Sequence, residues 1–188
     1  MDIVLVLVSA VVLGVGIWGI WIFNRLVGDR NLVKTAWADI DVQLQRRHDL
    51  VPRLVAAVRG YAGFERQVLE EVARLRGRAE EAVAVDERNA AERALAGGMG
   101  RLIAIAEAYP DLKASENYRN FMTDLVHVET HLQQARRFYN GAVLRLNTRV
   151  QRFPDLTVAR LFGFRPAEFF SAEAEARAVP EVRRLLEP

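Results

Sequence analysis

His127-Val-Glu-Thr-His131 is the chain's densest group of reactive side chains, with two imidazoles one helical turn apart and Glu129 between them. A helical histidine pair at i, i+4 can hold zinc. The zinc-protease arrangement, however, needs Glu directly after the first His, and Val128 stands there instead. The helical register turns both histidines beside the apolar seam, towards solvent, and no other cluster of His, Asp or Glu offers a third ligand. Surface histidines and no metal site are therefore expected. Arg47 carries a different chemistry, because it interrupts an apolar stripe. A charge there needs a partner, since leaving it unpaired costs on the order of 3–5 kcal/mol. Glu129 is the expected partner and Asp49 the alternative, with a structural role in setting helix register. Gly97-Gly98-Met99-Gly100 lacks the Lys-Ser/Thr of a phosphate loop and follows a helical pattern, not a strand. Three histidines on predicted helices give no Ser-His-Asp arrangement, and the chain has no cysteine, which removes disulfides, thiolate metal sites and thiol nucleophiles. The expectation is a protein without catalytic residues or cofactor, and not an enzyme.

The elements around these residues begin with a membrane anchor. Ile3 to Phe23 contains no charge and only Ser9 as a polar side chain. As a helix this run measures roughly 31 Å, enough to cross a bilayer core. A secretory signal peptide fits poorly: the start is Met1-Asp2 instead of basic, and the run ends in Trp18, Trp21 and Phe23 instead of a small-residue cleavage site. Trp18 and Trp21 sit where interfacial aromatic anchors belong. Ala10 and Gly14 place small residues on one face of the span, where helices approach closely, and point to self-association. Arg25, Arg30 and Lys34 follow the span while only Asp2 precedes it, so the domain is expected on the cytoplasmic side of a bacterial inner membrane as a single-pass protein.

After the anchor (residues 1–23), residues 24–170 are expected to form one helical bundle and residues 171–188 a helical or flexible tail. Net charge is +2, with 27% charged residues of both signs. Such a surface lacks the concentrated basic field of a nucleic-acid binder, and the aromatic residues are spaced as core, not as a stacking platform. Val33, Trp37, Ile40, Leu44, Val51, Leu54 and Val58 recur at three and four, with Pro52 expected to kink or restart the helix and Asp49 to cap the new turn. Gly60 and Gly63 mark a turn or bend. A second stripe runs through Phe64, Val68, Val72, Leu75, Ala79 and Ala82, then Ala91, Leu95, Leu102, Ile105 and Tyr109, weakened by Gly97, Gly98 and Gly100 and ended by Pro110. The strongest stripe is Tyr118, Phe121, Leu125, Val128, Leu132, Ala135, Tyr139, Ala142 and Leu146, a heptad seam suited to coiled-coil-like packing, with Ser115 as its cap. Phe153-Pro154-Asp155 closes it. An aromatic tail follows, Leu161, Phe162, Phe164, Phe169 and Phe170, expected to pack across the end of the bundle. The fold class is all-α: a single transmembrane helix followed by an elongated antiparallel bundle.

Several blocks resemble the signature of the LemA family. They are Trp37-Ala-Asp-Ile-Asp-Val-Gln-Leu-Gln-Arg-Arg-His-Asp-Leu-Val-Pro-Arg-Leu-Val, Arg59-Gly60-Tyr61, Ala108-Tyr109-Pro110-Asp111-Leu112-Lys113-Ala114, Ala135-Arg136-Arg137-Phe138-Tyr139-Asn140 and Leu161-Phe162-Gly163-Phe164. The resemblance implies a bacterial, membrane-anchored helical bundle and brings no established enzyme activity. One branch of the family is associated with building magnetosome membranes, which by analogy favours scaffolding. The expected function is a self-associating scaffold that touches membrane lipid and organises or shapes the membrane. The alternative is an accessory module for a membrane protease or signalling complex, with an unidentified membrane protein as partner.

Overall fold

The computed structural model describes residues 2–59 and 66–170. The expected turn at Gly60–Gly63 and the tail at 171–188 lie outside the described residues. Among the described residues all regular structure is helical: α1 (Asp2–Arg59), α2 (Arg66–Glu81), α3 (Val85–Ala106), α4 (Pro110–Ala114), α5 (Glu116–Gln151) and α6 (Asp155–Leu161).

α1 has 58 residues and is about 87 Å long at 1.5 Å per residue. Of the kink or restart expected at Pro52, the restart does not occur. The proline sits inside a continuous helix with its ring exposed, where it withholds only the amide that would have bonded the carbonyl of His48. Asp49 does not cap a new turn there either: its carboxylate accepts from Gln45 Nε2 at 3.1 Å along the same helix. No break separates the apolar run from the bundle. Ile22 and Leu26 are both fully buried, packed with Leu146, Val150 and Ala159.

α5 runs antiparallel to α1, because partners descend along α5 as they rise along α1: Asp29 meets Arg149, Arg47 meets Glu129, and Arg53 meets Asp124. Ser115 Oγ accepts from Tyr118 N at 3.3 Å and caps α5, satisfying one of the free amides of its first turn. The seam on α5 faces inward: Tyr118, Phe121, Val128, Leu132 and Tyr139 are buried and Leu125 partly so. α2 and α3 fold back on each other and cover the distal half of the α1–α5 pair. There Val58, Val72, Leu75, Leu95, Leu102 and Phe121 share one core. The glycines of α3 do not break it. A Cβ on Gly98 would stand 2.8 Å from Leu75 Cδ1, so glycine lets the two helices close up.

The aromatic tail departs from expectation. It does not cross the end of the bundle as a whole but climbs back along it. Phe164 lies against Phe23 (centroids 5.7 Å apart) and Phe170 against Trp37 at 6.0 Å. Two asparagines one heptad apart on α5 hold this non-helical segment. Asn147 Oδ1 accepts from Ala167 N at 2.8 Å and its Nδ2 donates to Ala167 O at 2.9 Å. Asn140 makes the same pair of bonds with Phe170, at 2.9 and 3.0 Å. Tyr139 Oη donates to Glu168 O at 2.8 Å. Backbone outside a helix lacks helical partners, so these amides supply bonds it needs. Leu161, Phe162 and Phe169 stay exposed.

Candidate functional site

Two polar constellations stand out against this apolar framework, one inside the bundle and one where the bundle meets the anchor. The first joins α1, α3 and α5. Arg47 sits on the buried face of α1, and its NH2 donates to the carbonyl of Glu92 at 2.8 Å while lying 3.6 Å from Glu92 Oε2. Its NH1 is 3.3 Å from Glu129 Oε1 on α5. His48 Nε2 is 2.6 Å from Glu92 Oε1, so the proton of this short contact belongs to the imidazole when the carboxylate is charged. Glu80 of α2 approaches His48 Nδ1 to 4.0 Å and is itself paired with Arg76 at 2.9 Å. Arg47, His48 and Glu92 are all at least 95% buried, whereas the Glu129 side chain is 44% exposed. Glu92 is thus the central acid of the joint and Glu129 its outer member. Asp49, on the exposed side of α1, takes no part.

A small cavity of about 120 Å³ borders the joint, lined by Asp41, His48, Glu80, Arg88 and Glu92 among others. Asp41 pairs with Arg88 there. Burial pushes its carboxyl above the ordinary range, and the charge and hydrogen bond of Arg88 pull the other way. Elsewhere burial raises the phenol of Tyr118, helped by Glu107, and that of Tyr139, helped by Glu168. Each carboxylate at the joint has a basic neighbour. The charges that α1, α2, α3 and α5 bring to the joint are thus paired with opposite charges.

His127 and His131 lie on the exposed face of α5. Among the described residues no group of three or more His, Asp or Glu side chains is placed to hold a metal ion. Ala10 and Gly14 are exposed, as is every residue of the helix from Ile3 to Trp18, and among the described residues nothing packs over them. Trp18 and Trp21 are about half exposed, and the Arg25 guanidinium stacks 4.2 Å from the centre of the Trp21 ring.

Sequence reasoning missed three residues: His48, Glu92 and Asp29. Asp29 is buried on α1, 2.8 Å from Arg145 and 2.5 Å from Arg149 of α5. A signal existed for the first two, since His48 lies four residues after Leu44 and Glu92 three before Leu95, both stripe positions. Nothing in the spacing identified which basic residues Asp29 would meet.

An exposed apolar stretch of helix, with a mean hydropathy of 2.7 over 18 residues and long enough to cross a membrane, continuing directly into a helical bundle, defines a class: membrane-associated helical-bundle proteins. The chain belongs to the LemA family, whose model matches residues 36–183. It is 26% identical over 151 residues to protein LemA of Metamycoplasma hominis, covering 79% of this chain and 68% of that protein. It is 35% identical over 72 residues to magnetosome protein MamQ 2 of Paramagnetospirillum magneticum, and 32% identical over 72 residues to magnetosome protein MamQ of Magnetospirillum gryphiswaldense. Each of these matches covers 38% of this chain and 26% of the magnetosome protein, so the chain spans about a quarter of those relatives' length.

Proposed function

We propose that this chain is a non-catalytic, self-associating scaffold of the bacterial inner membrane, anchored by one span with its bundle on the cytoplasmic side. The observation that carries the reading is the continuity of α1, which is one helix from the anchor to the distal core. Motion of the span is therefore transmitted to the bundle without a hinge, and identical bundles anchored side by side hold fixed spacing. Arg25, Arg30 and Lys34 just inside the span support the orientation. The exposed small-residue face of Ala10 and Gly14 supports contact between copies. Relatives named as magnetosome proteins support a place at a membrane. Crosslinking in native membranes, with mass photometry in detergent at matched concentration, tests the reading. Ladders of homo-oligomers are expected. A strictly monomeric chain by both methods would overturn it, and a monomer held in constant ratio to a different membrane protein would point to the accessory-module role instead.

A further inference from the structure

At the junction of span and bundle, α1, α5 and the turn into α6 enclose an open groove of about 450 Å³. Trp18 and Trp21 form its apolar floor, and Arg25, Arg145, Arg149 and Arg152 surround it with Thr148 beside them. The two kinds of arginine differ. Arg145 and Arg149 are bound to the buried carboxylate of Asp29, and Arg149 also reaches Asp155 at 3.2 Å. Arg25 and Arg152 are exposed, and among the described residues neither forms an ion pair with a carboxylate. Arg25 is instead stacked on Trp21. Two aspartates neutralise two of the four arginines, so the groove keeps two positive charges.

Depth is set by the same elements. The apolar run ends at Phe23, and the ring of Phe162 packs edge-on against Phe23 with centroids 4.8 Å apart. The start of the tail after α6 is therefore level with the last turn of the span. Around it Phe153 is 78% exposed, Leu161 77% and Phe162 57%. Large apolar side chains so exposed, beside a membrane span, mark a surface covered by lipid, not water. A basic groove with an aromatic floor at this level matches a phosphodiester above acyl chains.

We propose that this groove is a binding site for an anionic glycerophospholipid. Arg25 and Arg152 hold its phosphate, Trp18 and Trp21 line its glycerol and upper acyl region, and Phe153, Leu161 and Phe162 embed in the surrounding interface. Asp29 is a positioning residue that locks Arg145 and Arg149 in place. The site rests on the reading of the N-terminal helix as a membrane span.

The test uses the full chain, solubilised with mixed phosphatidylcholine and phosphatidylglycerol, with retained lipids weighed by native mass spectrometry. The wild type is expected to retain phosphatidylglycerol selectively, and R25Q/R152Q to lose that preference by on the order of tenfold or more. R101Q, which removes an arginine at the distal end, is expected to keep it, and helix content is expected to be unchanged in both. Equal preference in wild type and R25Q/R152Q, or displacement of the lipid by an equal concentration of inorganic phosphate, would overturn the lipid site. Alkaline extraction of membranes separates the two readings. If the wild type resists extraction but shows no lipid preference, the site alone fails; if alkali releases it, the span reading fails and takes the site with it.

Discussion

Glu92 shows how burial changes what a residue is worth. Its carboxylate stands 2.6 Å from His48 and 3.6 Å from Arg47; removing it takes the short partner from the buried imidazole and leaves Arg47 with the carbonyl of residue 92 and the half-exposed Glu129. Glu92→Ala is expected to destabilise the full-length protein by about 3–5 kcal/mol, read as unfolding in detergent. Glu129→Ala is expected to cost much less, because Glu129 is half in solvent and Arg47 keeps Glu92. Arg47→Met is expected to cost more than Glu129→Ala, because it leaves the buried Glu92 carboxylate with His48 alone and its carbonyl without the guanidinium, whereas replacing Arg47 and Glu92 together by apolar residues is expected to cost less than either single change. Larger loss from Glu129→Ala than from Glu92→Ala would reverse this ranking. Asp41 gives a pH effect. Its folded-state pKa lies above the reference value of 3.8, so the folded chain takes up that proton more readily than the unfolded one. The raised pKa therefore penalises the folded state above the folded pKa, and the penalty fades as pH falls through it. Asp41→Asn is expected to raise the melting temperature at neutral pH, with the gain shrinking on acidification. A gain independent of pH would assign it to another cause.

At the scale of elements, the bundle halves are held differently. The distal half is an apolar core in which Gly98 lets α3 press on Leu75. The membrane-proximal half is closed by the non-helical segment that α5 holds through Asn140 and Asn147. Asn147→Ala removes two hydrogen bonds, each worth roughly 1 kcal/mol. It is expected to speed amide exchange across residues 164–170 while leaving α2 and α3 unaffected. Uniform acceleration throughout the bundle would show that the segment is part of one cooperative unit with α2 and α3. The stripes on α1 and α5 were legible because an apolar seam repeating every three or four residues can be buried only along a helix. The course of the tail was not legible, since the hydrogen bonds that hold it join Asn140 and Asn147 to backbone groups that every residue carries.

For the whole molecule, the anchor and the bundle share a helix, and Ile22 belongs to both. Deleting residues 1–17 is expected to leave a helical bundle with unchanged unfolding and much weaker self-association, whereas a cut after Phe23 also removes Ile22 from the core and is expected to lower stability. Ala10→Leu with Gly14→Leu is expected to reduce crosslinking of the full chain without loss of helix content. Undiminished crosslinking would move the contact between copies to the bundle.

By itself the sequence determined the all-α class, the apolar N-terminal helix, the inward faces of α1 and α5, the cap at Ser115 and the family. All of these follow from periodicity, length or local hydrogen bonding, which act over a few residues. Tertiary structure alone decided that Pro52 stays within a continuous helix, that Glu92 and His48 complete the joint around Arg47, that Asp29 takes Arg145 and Arg149, and that the aromatic tail climbs the bundle. The last three depend on which groups meet from elements tens of residues apart, whereas Pro52 is accommodated because its ring is exposed and only one helical bond is lost. A charged residue carries no mark of its partner until packing has removed the water around it.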